Sequence, residues 1–184
     1  MDNGACSYRR FLDGDDTGMA ELVREYRDGL MLYLNSYTKN LETAEDCVQD
    51  TFIKLAVKKP KFRGDCTFKT WLYTIGRNIA LNHIKKIIRR NDAVLEDYKS
   101  LSDETDLEND YLIEERKIIL HRTIRKMKTE YQQVLYLFYF EDFSYEETAH
   151  ILKKSRKQIE NYLYNARKAL KSELEKEGWH YEEL

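Results

Sequence analysis

The chain has 184 residues, 42% hydrophobic and 35% charged, with a formal net charge of −2; this supports one medium core or two small ones, and the high charged share favours two small helical domains. One Pro and seven Gly leave little material for sandwiches or barrels, and no GxGxxG or GxxxxGK loop is present to cradle a nucleotide. A sequence pI near 6.1 argues globally against a polyanion partner, but charge is unevenly distributed along the chain, and its local clustering points the other way.

The first ten residues, MDNGACSYRR, carry no apolar signal segment, and no membrane insertion is expected. The first informative element is AEDCVQDTFIKLA, Ala44 to Ala56. Ala44, Cys47, Val48, Thr51, Phe52, Leu55 and Ala56 form a helical stripe, with Glu45, Asp46, Gln49 and Asp50 on the other side. Ile53 falls outside the stripe, bordered by carboxylates and an amide, and reads either as a protein-docking patch or as an ordinary exposed apolar residue. Acids on an open helix face lack the apolar pocket that would raise a pKa, so acid–base chemistry is not expected there.

From Phe68 a second helix sorts its residues into rows four apart. Phe68, Leu72, Gly76, Ala80, Ile84 and Ile88 form one apolar row, and Trp71, Ile75, Ile79, His83 and Ile87 the next. Lys69, Tyr73, Arg77, Leu81, Lys85 and Arg89, beside Thr70, Thr74, Asn78, Asn82 and Lys86, form the polar half. This half is expected to be a readable surface: cations for phosphates, a ring for stacking, amides for base edges. Lys58, Lys59, Lys61 and Arg63 precede the helix and Arg90 closes it, while Asp65 is the only acid between Lys58 and Arg90. Such crowding of like charge is most simply explained by a polyanion partner. His83, on an apolar row, reads as a core residue.

Asp92 to Asp110 holds eight acids and one lysine and reads as a linker, either shielding basic faces, occupying a basic channel, or merely solubilising. Helical periodicity resumes near Leu112 and runs to about Lys128. Thr129 with Gln132 and Ser144 with Glu147 have capping-box spacing and predict helix starts near 130 and 145. The first opens the aromatic run YQQVLYLFYF, too short to span a bilayer and suited to a core. After YEETAHILKK comes a turn at Lys153 and Lys154, then a helix N-capped by Ser155, which is helix-turn-helix spacing. Ile159, Leu163, Ala166 and Leu170 point inward, leaving Arg156, Lys157, Glu160, Asn161, Tyr164 and Lys168 outward, as a recognition helix requires. A plain helical hairpin would show the same spacing.

Cys6, Cys47 and Cys66 are too scattered for a zinc site, and an odd count points to reduced thiols in the cytoplasm. Cys47 lies on the buried stripe; Cys66, in the basic loop, is a candidate exposed thiol for redox sensing. No arrangement of Ser, His and Asp suggests catalysis. Catalytic residues, metal and cofactor are all expected to be none.

The runs AEDCVQDTFIKL, FRGDCTFKTWLYTIGRNIALNHIKK and, after an acidic linker, FEDFSYEETAHILKKSRKQIENYLYNARKAL closely resemble the extracytoplasmic-function sigma factors of bacterial RNA polymerase, over roughly Glu21 to Glu175. The resemblance implies an all-α chain of two small helical domains. Its division is an N-terminal extension (1–20), a sigma region 2-like bundle (21–91), the linker (92–111), a region 4-like helix-turn-helix domain (112–176) and a tail (177–184). There is no room for the middle domain of primary sigma factors.

By that resemblance Glu45, Asp46, Gln49, Asp50 and Ile53 dock on the clamp coiled coil of the polymerase β′ subunit. Lys61, Arg63, Lys69, Tyr73, Arg77, Asn78, Asn82, Lys85 and Lys86 recognise and melt the "minus ten" element, with Trp71 either core or a wedge at the fork edge. The helix-turn-helix, Tyr145 to Tyr164, reads the "minus thirty-five" element through Ser155, Arg156, Lys157, Gln158, Glu160, Asn161, Tyr164, Arg167 and Lys168. The implied partners are core RNA polymerase (β′ clamp and β flap), promoter DNA and an anti-sigma factor, and the linker threads the polymerase channels toward the RNA exit.

Two departures stand out. The family's turn usually has Gly where Lys153 stands and an apolar residue at Lys154, which predicts a strained turn. Glu160, Asn161 and Tyr162 replace a small or basic cluster, leaving the upstream target open: Glu160 accepts from a cytosine amine or repels phosphate. The expected function is a non-enzymatic initiation factor. A stand-alone helix-turn-helix regulator and an α-helical interaction module are the other readings.

Overall fold

The computed structural model describes residues 2–91 and 113–176. The acidic linker and the tail, including Trp179, lie outside them. Within the described residues the structure is helical: α1 Asn3–Leu12, α2 Thr17–Thr38, α3 Leu41–Lys58, α4 Phe68–Asn91, α5 Ile113–Lys126, α6 Thr129–Leu135 running into a π-helical turn Tyr136–Phe140, α7 Tyr145–Leu152 and α8 Arg156–Lys176. None of these helices is long and apolar enough to cross a membrane.

Helices α1 to α4 form the first bundle, because each carries one apolar stripe that needs a partner. Leu22, Tyr26, Leu30, Tyr33 and Leu34 of α2 are buried against Cys47, Val48, Phe52 and Leu55 of α3 and against Phe68, Leu72 and Ile75 of α4. Gly76 permits this approach, since a Cβ there would lie 3.0 Å from Leu30 Cδ1. The apolar rows of α4 do not stay buried to its end: His83, expected in the core, is half-buried, and Ile87 and Ile88 are exposed, because the helix runs on past the bundle. The segment before residue 21 is integral to the bundle rather than an appendage. Tyr8 of α1 is buried, with its ring 5.4 Å from Phe68 and 5.6 Å from Trp71. Asp2 caps two helices at once, accepting from Ala5 N at 3.1 Å and Phe68 N at 2.6 Å.

The second unit packs α5, α6, α7 and α8 around Ile124, Val134, Leu137, Ile151, Ile159 and Leu163. Ser144 and Glu147 form the expected capping box. The expected box at Thr129 and Gln132 does not form: Lys128 is the N-cap, without a side-chain bond. Gln132 is buried instead, and its amide donates to Arg125 O at 2.8 Å and Met127 O at 2.7 Å, satisfying the carbonyl end of α5. Lys39, Lys59 and Lys153 end three helices in the left-handed region, with φ of 55°, 42° and 54°, so the strained turn expected at Lys153 is present.

The two units share one continuous core cluster. Tyr73 of α4 meets Phe143 edge to face at 5.0 Å, and Lys39 Nζ donates to Gln132 Oε1 at 2.9 Å.

Candidate nucleic-acid interface

Three surfaces follow from these elements. On α3, Asp46, Gln49, Asp50 and Ile53 are exposed, while Glu45 is half-buried and accepts from Arg27 Nη2 at 2.7 Å. Ile53 is 54% exposed, and one turn on Val57 is 68% exposed. Sequence periodicity missed Val57 as a partner for Ile53, although the spacing of four between two apolar residues outside the buried stripe was the available signal.

The loop from Lys59 to Thr67 is held by aromatic packing. Tyr8 donates through its hydroxyl to Pro60 O at 2.8 Å, and Phe62 lies 5.6 Å from Phe68 and 5.2 Å from Trp71. With its apolar residue pinned inward, the loop leaves Lys61 and Arg63 in solvent. Trp71, half-buried among Tyr8, Phe62 and Phe68, sits with the core. Cys66 is half-buried, and burial, then Asp65, Glu147 and Asp2, raises its thiol pKa, which disfavours the reactive thiolate. Burial pushes the Cys47 thiol up to about 11.

On α4 the polar half splits. Asn82, Lys85 and Lys86 are exposed and Asn78 is half-buried. The expectation that the whole half faces solvent fails for its first turns. Tyr73 and Thr70 are fully buried, because the second unit lies over them. Tyr73 donates to Glu141 Oε2 at 2.6 Å, and its ring stacks on Tyr33 at 5.6 Å. Lys69 Nζ reaches the same Glu141 oxygen at 2.8 Å and the Glu141 carbonyl at 2.7 Å. Thr67 and Thr70 each donate to Glu147 Oε1 at 3.0 Å. Arg77 Nη2 donates to Leu152 O at 3.3 Å, while its Nε is buried with no hydrogen-bond partner. Burial, reinforced by Glu141, raises the Tyr73 pKa well above the ordinary phenol value, so the ring stays neutral.

The helix-turn-helix is built as its sequence predicts. Lys154 N donates to Ala149 O at 3.0 Å around the Lys153 turn, then Ser155 opens α8, with Gln158 N bonded to Ser155 Oγ at 3.2 Å and Ser155 N to Gln158 Oε1 at 2.9 Å. Ile159, Leu163 and Ala166 are fully buried. Arg156, Lys157, Gln158, Glu160, Asn161, Tyr164, Arg167 and Lys168 are all exposed. Arg156 is not a bare cation: it pairs with Glu146 and, at 2.8 Å, with Glu160, and its pKa is raised first by the Glu160 bond. Glu160 is thereby partly neutralised.

The described residues thus form a helical bundle followed by a capped helix-turn-helix. Residues 22–90 match the Sigma-70 region 2 family and residues 117–170 the Sigma-70, region 4 family. The chain is 34% identical over 158 residues to RNA polymerase sigma factor YlaC of Bacillus subtilis, covering 85% of this chain and 91% of that protein. It is 30% identical over 175 residues to the ECF RNA polymerase sigma-E factor of Escherichia coli K12, covering 90% and 91%. Among solved structures, CnrH in complex with the cytosolic domain of CnrY superposes with a TM-score of 0.64 at 22% identity, covering 95% of this chain and 98% of that one. The sigma factor RpoE with the anti-sigma factor NepR from Bartonella quintana also gives 0.64 at 22%, covering 85% and 96%. The chain belongs to the extracytoplasmic-function family of RNA polymerase sigma factors. It is an alternative sigma factor that directs transcription initiation.

Proposed function

We propose that this sigma factor divides its labour among the three surfaces. The α3 face, with Asp46, Gln49, Asp50 and the exposed Ile53 and Val57, docks on the polymerase clamp. Lys61, Arg63 and α4 engage and open the minus-ten element, and α8 reads the minus-thirty-five element. The observation that carries this reading is a charge division within one bundle: an acid-faced helix with an apolar centre stands beside a loop and helix end bearing Lys61, Arg63, Lys85 and Lys86, all exposed. Carboxylates repel phosphate, so the acidic face suits a protein partner and the basic one a nucleic acid. The factor contributes position rather than chemistry, acts in the cytoplasm where core polymerase works, and is held in reserve by an anti-sigma factor.

Run-off transcription with core polymerase and a genomic template library tests the reading and reveals the promoter set. Specific transcripts dependent on the protein are expected. Folded protein and active core yielding none would overturn it. Tight binding of the lone chain to duplex DNA would favour the stand-alone regulator.

A further inference from the structure

Several polar side chains at the start of α8 have the chemistry to touch a base edge, and most of them are spent inside the fold. Ser155 and Gln158 close the helix start: Gln158 Oε1 accepts from Ser155 N at 2.9 Å, and Ser155 Oγ accepts from Gln158 N at 3.2 Å. Arg156 bridges the two helices of the motif. It donates through Nη1 to Glu146 of α7 and through Nε to Glu160 Oε1 at 2.8 Å, with its guanidinium carbon 5.8 Å from the centre of the Tyr145 ring. Glu160 is therefore turned onto a cation of its own helix, and Arg156 has little left to offer a guanine.

Asn161 is different. Asn165 Nδ2 bonds its backbone carbonyl at 2.9 Å, while its side-chain amide makes no hydrogen bond among the described residues. Buried Ile159, Leu163 and Ala166 fix the inward face of α8, and Lys157, Asn161, Tyr164 and Lys168, spaced four, three and four, lie opposite it in solvent. Asn161 thus stands in the second turn, in the part of a recognition helix that reaches base edges, with Lys157 before it and Lys168 beyond it to hold phosphates. A carboxamide presents one donor and one acceptor side by side, which complements the N7 acceptor and N6 amine of adenine in the major groove. Guanine offers two acceptors there and cytosine only a donor, so neither satisfies both atoms of the amide. Gln158 carries the same group, but its oxygen is held in the cap.

We propose that Asn161 sets the specificity of the upstream module by pairing with one adenine in the major groove, and that Arg156 and Glu160 hold α7 to α8 rather than read a base. This rests on the assignment of α8 to the minus-thirty-five element above.

The test uses the full chain with core polymerase on templates in which the upstream element of a promoter found by run-off transcription is randomised, each template carrying a transcribed barcode. Wild type should favour adenine at one upstream position by about tenfold or more over the other bases. Asn161→Ala, which places a better helix former at an exposed site, should flatten that position alone. Asn161→Arg should move the preference there to guanine, because a guanidinium donates to both O6 and N7. Glu160→Ala should leave the adenine in place. Retention of the adenine by Asn161→Ala would overturn the proposal, as would an Asn161-dependent base other than adenine. So would a cytosine preference that Glu160→Ala abolishes and Asn161→Ala leaves intact. Abundant transcripts with no base preference anywhere in the upstream element would instead overturn the assignment of α8 itself.

Discussion

Helices α3 and α4 are neighbours in one bundle, each half apolar and half polar, yet their polar halves meet different fates. The acidic face of α3 remains in solvent with Ile53 and Val57 at its centre, whereas the first turns of α4 lie under Glu141 and Glu147. The difference shows that an amphipathic pattern assigns residues to a face but not the face to water. A cationic, hydroxyl-rich surface attracts carboxylates from its own chain by the same chemistry that would attract phosphate.

The largest effect separates core from surface on α4 itself. Leu72 is fully buried, so Leu72→Ala should lower unfolding free energy by about 2–5 kcal/mol in a denaturant titration, while Lys85→Glu on the exposed side should change it little. Next, Asp50→Lys should weaken core binding by on the order of 2–3 kcal/mol, about a hundredfold, measured by competition for core polymerase. Lys85→Glu should leave core binding intact and impair promoter opening; equal loss of core affinity in the two variants would erase the distinction between the faces. In a salt titration of promoter binding by the holoenzyme, Lys85→Glu should also flatten the logarithmic slope by roughly one to two.

A smaller effect concerns the unit that does the covering. His121 is stacked near Tyr136 and Phe140 with its Nδ1 buried and unpartnered. Burial, then Arg125 and Lys117, depresses its pKa below 6.5. A depressed pKa means the unfolded chain takes the proton first, so its contribution to stability is complete above about pH 6.5 and is lost as pH falls through the lowered folded value. Thermal melts across that window should show the loss, and His121→Phe should remove this part of it. An unchanged pH profile in the variant would exclude His121 as the cause. The smallest change is Lys153→Gly, which relieves a φ of 54° and should stabilise the second unit by about 1 kcal/mol without altering upstream recognition.

Much of the fold was legible because local rules carried it. The stripes of α3 and α4, the Ser144 and Glu147 box and the Ser155 start all depend on residues within four positions of one another, whereas the strained turn at Lys153 was legible only through the family resemblance. Thr129 failed as a cap because Gln132, three residues on, makes its bonds to the end of α5 and to Lys39 instead. The π-helical turn at Tyr136–Phe140 carries no local signature in an aromatic run. Tyr8 gave no sign that the first residues complete the bundle, since its ring contacts lie about sixty residues away in sequence.

The sequence by itself determined which residues share a face, where the capped helices of the helix-turn-helix begin, and that basic and acidic residues cluster on separate elements; periodicity and capping are set by neighbours along the chain. Only the tertiary structure decided which of those faces is available. Glu141 and Glu147 reach α4 across some seventy to eighty positions, Glu141 through a gap at Gly29 that exists only once α2 and α4 are packed.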